Sequence, residues 1–450
     1  MIKKIVVIGA GTMGVGIAQW FAQQGVSVHL LDNSLEVLKK SHQNILASWD
    51  RLLDRGKFTG EQIIKFQSGL ELHENITKVP TDADLVIEAI IEEIHPKQNL
   101  FKELNSHFDK KTIFASNTSG LSIKEIFSDL SNRSCLGLHF FNPATIMKLV
   151  EIIPQDDQSS NELYQWFKEK KKVPVIVKDS PGFICNRVAR NFYGESLRLS
   201  DKFAYSHIDQ VLRRVGGFRM GPFELMDLIG IDINLSATKS LYEAYNNSPR
   251  FTPHSKQEAM IEAGNLGKKT GKGFLGSVEQ PPLLETFTPE EVEISSHYFQ
   301  IIGEGESIDQ EKKAIGEFDF YQENPSIHAQ ISRKFSKGSC IEVINNSLTT
   351  EELQRLSNEL NSELIVLPKG ADSFILPPVL SMIILEAILL NNEEVASKED
   401  IDLAMKFGLN YPYGPFEWLD SIGVEQIKTT LKNQSEKNRE EVSRYPWKEL

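Results

Sequence analysis

IVVIGAGTMGVGIAQWFAQQGVSVHLLD, residues 5–32, contains a strand, a glycine turn, a helix and a second strand ending in an acid. The β-branched run Ile5 to Ile8 leads directly into Gly9-Ala10-Gly11-Thr12-Met13-Gly14, and Ile17, Ala18, Phe21 and Ala22 then recur at helical spacing. In such a unit Gly9 permits the tight turn, Gly11 lets a pyrophosphate approach the backbone, and Gly14 lets the helix pack closely on the strand. The helix amino terminus then faces the phosphates. Val26 to Leu31 predicts the second strand. Asp32 at its end is placed to bind both ribose hydroxyls of NAD and to repel the extra phosphate of NADP. A ligand-free glycine turn would leave that acid to chance, so the fold indicated is a Rossmann-type, doubly wound α/β domain that binds NAD.

Leu35 to about Leu72 reads as one or two amphipathic helices, longer than a plain crossover needs, and predicts a helical arm over about 36–72 projecting from the sheet. Arg51, Arg55, Lys57 and Lys65 make it locally basic. Such a run is usually a solvated face; the sharper reading is a contact for the phosphates of a large acyl carrier. Asp84 to Ala89 is the next buried strand. Glu92 and Lys97 follow its carboxyl end, where cofactors sit in such sheets, although ordinary surface positions would account for both. Thr112 to Ala115 predicts another strand, with Ser116 to Gly120 as its polar exit loop and Ser122 with Glu125 as a capping box.

Leu136 to Ile153, LGLHFFNPATIMKLVEII, predicts a strand ending near His139, an Asn142-Pro143 turn and a second strand carrying Glu151. An imidazole at a strand mouth can take a proton near neutrality, and a carboxylate behind it can fix the tautomer and stabilise the imidazolium. One His and one Glu twelve positions apart are more often a core histidine and a surface acid. What favours chemistry is that the Ser119 loop, the glycine turn and His139 should share one sheet edge. Pro174 to Val177 predicts a last strand. Asp179-Ser180-Pro181-Gly182 then marks a change to helical sequence, placing Asn186 near the start of a new helix and in a ligand cleft between the two regions.

The chain's 450 residues fit two or three domains, and 40% apolar with 25% charged residues describes an ordinary globular composition. A net charge of -13 argues against nucleic-acid or anionic-membrane partners. Cys135, Cys185 and Cys340 form neither a disulfide framework nor a metal motif, so a reducing, cytoplasmic setting is expected. The apolar run Met382 to Leu390 is short and contains Glu386, which argues against a membrane span.

VVIGAGTMGVGIA, DLVIEAI, FASNTSGLSI, GLHFFNPATIMKLVEII, DSPGFICNR, GPFELMDLIG and GKKTGKGF occur in this order across residues 1 to about 275. In these motifs the chain resembles the L-3-hydroxyacyl-CoA dehydrogenase family, in particular bacterial 3-hydroxybutyryl-CoA dehydrogenases. The resemblance implies a nicotinamide enzyme with His139 as catalytic base paired with Glu151, and Ser119 and Asn186 holding the substrate oxygen. It further implies cofactor contacts at Asp32, Glu92, Lys97, Ser119, Asn142 and Lys269, and places Lys57 in the arm that binds CoA. The expected reaction is NAD-dependent oxidation of a short-chain L-3-hydroxyacyl-CoA, with no metal required. Two other readings are a dehydrogenase of a free hydroxy or sugar acid on the same fold, and an NAD-binding sensor or scaffold without turnover.

Gly221-Pro222-Phe223-Glu224 through Gly230 recurs as Gly414-Pro415-Phe416-Glu417 through Gly423 at an offset of 193 residues, and Ile208-Asp209 recurs as Ile401-Asp402. Pro377 stands in the second copy where the first has Asn186, so the second is expected to be non-catalytic. Helical domains of this family pair across a dimer interface. The expectation is therefore a homodimer, or an intramolecular pseudo-dimer in which the fused copy takes the partner's place. The domains expected are 1–180, NAD-binding; 181–280, helical and catalytic; 281–367, a linker opening with Gln280 to Pro289 and a small α/β segment; and 368–450, a degenerate helical repeat whose charged tail from Lys432 frays. The fold class is thus a Rossmann-type α/β domain followed by duplicated all-α domains, with a small α/β segment between the copies.

Overall fold

A computed structural model of the chain describes residues 2–130, 132–277, 279–290, 329–331, 335, 340–437 and 444–450. The chain divides into two compact units, residues 1–186 with 393–409, and 187–392 with 410–450.

The first unit is built on an eight-stranded sheet of order β3-β2-β1-β4-β5-β6-β7-β8. Its strands are β1 Lys4–Ile8, β2 Ser27–Leu31, β3 Leu70–His73, β4 Leu85–Glu88, β5 Ile113–Ser116, β6 Cys135–Phe140, β7 Leu149–Pro154 and β8 Val173–Ile176. All neighbours run parallel except β6 and β7. The helix α1, Thr12–Gln23, packs on the sheet through Phe21, whose ring stacks on Trp166 at 5.3 Å, while Trp20 stacks on Phe167 at 5.8 Å. Such pairs add roughly 0.5–1.5 kcal/mol each beyond the area they bury.

The arm departs from expectation. It forms α2, Leu35–Asp54, and α3, Gly60–Ser68, and then ends in the edge strand β3. Leu38, Ile45, Trp49, Ile63 and Phe66 are buried in the same hydrophobic cluster as Phe21, so the two helices lie on the domain core rather than standing clear of it. The long periodic run concealed both facts, because Leu70 and Leu72 fit a helical stripe as well as a strand.

The first unit also runs past residue 180. Glu151 accepts hydrogen bonds from the amides of Ile184 and Cys185, which ties the chain to β7 as far as Asn186. The helix Lys398–Leu409 belongs to this unit too: it packs on β7 and β8, and a Cβ on Gly408 would lie 2.5 Å from Leu149 and 2.9 Å from Cys185. The expected repeat over 368–450 is therefore divided between the two units.

In the second unit the two repeats have the same local form. Pro222–Ile229 and Pro415–Ile422 each start after a glycine and end at one in a positive-φ conformation, at 110° for Gly230 and 92° for Gly423. Helices of equal length follow, Ile231–Ala244 and Val424–Lys437. The apolar run around Glu386 is the helix Leu376–Asn392, whose buried carboxylate is met by Arg187 at 2.7 Å and Arg250 at 2.8 Å. Among the described residues no helix is long and apolar enough to cross a membrane.

The α/β segment forms a second sheet of order β10-β11-β12-β9, from β9 Thr286–Phe287, β10 Ala329–Ile331, β11 Cys340–Asn345 and β12 Glu363–Val366, with the helix Thr350–Leu360 between β11 and β12. The expected linker thus contributes β9, with Phe287 buried. The tail also differs from expectation. Residues 438–443 lie outside those described, but Tyr445 beyond them is fully buried, with its hydroxyl 3.3 Å from Glu195.

Candidate active site

The β6–β7 ladder sets the central pair. His139 and Glu151 are register partners in an antiparallel pairing, which puts both side chains on the same face. His139 Nδ1 lies 2.5 Å from Glu151 Oε2; His139 is 7% exposed and Glu151 is fully buried. The other oxygen, Oε1, accepts from the amides of Ile184 and Cys185, both at 3.1 Å. A carboxylate held by two amides cannot swing away, so it orients the imidazole and keeps its hydrogen on Nδ1. Nε2 is left as the proton acceptor. Phe141 and Phe183 flank the ring, with centroids at 4.4 and 5.9 Å.

A second polar group forms on the loops after β4 and β5. Glu92 Oε1 accepts from Thr118 Oγ1 at 2.6 Å, from the amide of Ser119 at 2.7 Å and from Ser119 Oγ at 3.0 Å. The carbonyl of Ser119 in turn accepts from Asn186 Nδ2 at 2.9 Å, which brings the expected serine and asparagine together. Partial burial alone would raise the Glu92 pKa, but Lys97 and the hydrogen bonds from Thr118 and Ser119 hold this carboxyl below the usual range.

Lys97 is not a surface residue. It is 1% exposed, and its ammonium sits 2.5 Å from Glu88 and 3.3 Å from Glu92. Glu88, at the end of β4, is fully buried and also takes hydrogen bonds from Ser116 Oγ at 2.6 Å and the amide of Ile90 at 2.7 Å. Sequence reasoning passed over Glu88, absorbing it into an apolar strand; the signal available was a charge inside a run that otherwise reads as core. Asp179, expected only to mark a change to helical sequence, has a structural role as well. It caps the helix Ile123–Ile126 by accepting from the amides of Ile123 and Lys124, so Ser122 supplies only part of the expected capping box.

The nucleotide end fits the glycine reading. Gly9 has φ 98°, and a Cβ there would meet the carbonyl of Ala89 at 2.5 Å; one on Gly14 would strike the Gly9 carbonyl at 1.8 Å. A Cβ on Gly11 would meet nothing within 4 Å, which leaves its backbone open to a phosphate. Asp32 accepts from the amides of Ala10 and Ser34, at 2.8 and 2.9 Å. It borders a cavity of about 350 Å³ lined by Gly9, Leu31, Asn33, Asn75, Ile90 and others, a size and place suited to an adenosine.

The remaining expected positions stand apart from this hydrogen-bonded set. Asn142 is exposed beyond β6, and Lys57 is exposed between α2 and α3. Lys269 lies in the second unit, with its ammonium 2.6 Å from Asp232 Oδ2.

The profile described as 3-hydroxyacyl-CoA dehydrogenase, NAD binding domain, matches residues 4–180, and that described as 3-hydroxyacyl-CoA dehydrogenase, C-terminal domain, matches residues 182–277 and 374–449. The chain belongs to the 3-hydroxyacyl-CoA dehydrogenase family. It is thus an NAD-dependent oxidoreductase, and the two separated stretches of the C-terminal match are consistent with a duplication. Among similar 3-hydroxyacyl-CoA dehydrogenases, the 3-hydroxyadipyl-CoA dehydrogenase of Escherichia coli K12 is 34% identical over 96% of this chain and 93% of its own length. The rat mitochondrial hydroxyacyl-coenzyme A dehydrogenase is 38% identical over 61% of this chain and 91% of its own. A crystal structure of 3-hydroxybutyryl-CoA dehydrogenase from E. coli K12 superposes with a TM-score of 0.84 at 31% identity, covering 99% of this chain and 96% of that one.

Proposed function

We propose that this enzyme oxidises short-chain L-3-hydroxyacyl-CoA to 3-oxoacyl-CoA, and runs the reverse reaction, with His139 as the general base. The observation that carries the proposal is the buried His139–Glu151 pair, with Nδ1 2.5 Å from the carboxylate. The free Nε2 removes the 3-hydroxyl proton, and Glu151 stabilises the imidazolium that results. Ser119 and Asn186 hold the substrate oxygen, Ser119 being positioned by Glu92 and Asn186 by the Ser119 carbonyl. NAD, when bound, supplies the acceptor for the hydride leaving carbon 3. Asp32, Gly9, Gly11 and Gly14 bind the adenosine and pyrophosphate, and Glu92, Lys97, Ser119 and Asn142 are assigned further contacts with the cofactor. Lys269 is assigned a contact with the same cofactor.

The exposed cations Arg51 on α2, Lys65 on α3, and Arg55 and Lys57 between them would receive the CoA phosphates. The duplicated helical sequence supports an intramolecular pseudo-dimer in place of a homodimer, and three free, buried cysteines support a cytoplasmic setting. Reduction of acetoacetyl-CoA followed by NADH absorbance tests the reaction, and a series of acyl chain lengths tests the substrate. Failure to turn over any 3-oxoacyl-CoA would overturn the proposal. A second substrate, an acyl chain ending in a distal carboxylate, is favoured by the near full-length match to a 3-hydroxyadipyl-CoA dehydrogenase. Its place in the same assay series decides between them.

A further inference from the structure

His29, Glu71 and His73 lie on the two outermost strands at the β3 edge of the nucleotide sheet, away from the reacting groups described above. In the parallel register His29 pairs with Glu71 and Leu31 with His73, so the three side chains project from one face of the sheet. Their ligating atoms are close together: His29 Nδ1 is 2.9 Å from His73 Nε2, and Glu71 Oε2 is 3.6 Å from the first and 3.8 Å from the second. We propose that these three residues form a structural binding site for one divalent zinc-type transition-metal ion, which would staple β2 to β3.

The triangle itself supports this. One with sides of 2.9, 3.6 and 3.8 Å has a circumradius of about 2.0 Å, so a single point lies at zinc–nitrogen and zinc–oxygen bonding distance from all three atoms. Tetrahedral angles at bonds of about 2.05 Å need ligand separations of roughly 3.3 Å, so each side adjusts by about half an ångström or less. Two imidazoles and one carboxylate form a donor set that suits zinc, cobalt or nickel and disfavours magnesium and calcium, which take oxygen ligands. His29 is 3% exposed and fixed by packing, whereas the Glu71 side chain is 61% exposed and gives an ion access from solvent. A solvent molecule would complete the fourth position.

In the metal-free chain the imidazoles share one hydrogen, one ring donating to the other. Ligation needs both facing nitrogens as acceptors, so the shared hydrogen must leave that contact. With His29 protonated on Nε2 and His73 on Nδ1, both rings stay neutral and no net proton is released. The site adjoins the cofactor acid, because the carbonyl of His73 accepts from the amide of Asp32 at 3.2 Å. A metal here would stiffen the strand end that supports Asp32 without touching the reacting groups.

Titration of the full-length chain with Co2+ tests the site. One equivalent should bind and give the visible absorption of a four-coordinate ion, Zn2+ should displace it, and Mg2+ should not. Glu71→Gln, at an exposed position where the fold is safe, should weaken Co2+ at least tenfold. His73→Ala should abolish the spectrum while circular dichroism shows the fold retained. A six-coordinate spectrum, stoichiometry other than one, or unchanged affinity in Glu71→Gln would overturn the proposal. Should His73→Ala fail to fold, the Glu71→Gln result decides alone.

Discussion

The two halves of the candidate site are held in different ways. On the β6–β7 ladder, strand register alone sets His139 opposite Glu151, and the carboxylate is fully buried under two backbone amides. On the loops after β4 and β5, Glu92 holds Ser119 from a side chain that is 42% exposed, and it relies on the buried Lys97 and Glu88 behind it. A ladder fixes orientation at the cost of adaptability. A loop cluster can adjust to cofactor and substrate, but solvent weakens each of its contacts. The proposed base should therefore tolerate little change, and the loop group proposed to hold the substrate oxygen more.

Removing the base should have the largest effect. His139→Ala is expected to lower kcat by about two to four orders of magnitude while leaving NADH affinity, read by fluorescence, within a few-fold. Equal losses in both would mean the ladder serves binding. Glu151→Gln comes next, at about one to two orders, since the amide can neither balance the imidazolium nor accept on both sides. A KM effect without a kcat effect would break the contrast drawn above. On the loop side, Ser119→Ala and Glu92→Gln should each cost roughly tenfold, the scale of one or two hydrogen bonds. The double variant should fall well short of the product of the singles, because Glu92 acts through Ser119. Full additivity would separate them. Asp32→Ala should weaken NAD more than NADP and narrow their ratio in kcat/KM.

The smallest effect is on stability and concerns Lys172 behind the ladder. Its ammonium donates to the carbonyls of Ala144 and Met147 at 2.6 and 2.5 Å, and burial brings its pKa down to about 8. The unfolded chain keeps that proton to about pH 10.4, so the folded state binds fewer protons between roughly 8 and 10.4 and this group makes stability rise with pH across that window. Lys172→Met should lack that rise, so the parent's Tm should gain on the variant's as pH climbs through the window. Parallel profiles would show that the group titrates normally.

The chemistry of strands and turns was legible in the sequence, whereas burial of charge was not. Gly9, Asp32 and the alternation around His139 announce themselves because turn geometry and a two-residue period leave direct marks on the order of residues. Lys97 and Lys172 do not. One follows an acidic pair and the other closes the run Lys170 to Lys172, and both patterns read as solvated surface until a partner or a carbonyl cage distant in sequence is brought to them. Likewise His29 and His73 stand 44 positions apart, and only the order of strands makes them neighbours. The edge strand β3 was hidden for another reason: a four-residue strand at the end of a helical run is too short to establish its own period.

The helix Lys398–Leu409 brings residues from the far end of the polypeptide onto β7 and β8, where Gly408 fits against Leu149 and Cys185, beside the amide that grips Glu151. Trimming the gene to the span shared with the rat enzyme would strip this cover and leave Leu149 and Cys185 to water. An equivalent helix borrowed from a neighbouring molecule would restore the cover, and the activity of such a miniature would then rise steeply with its concentration.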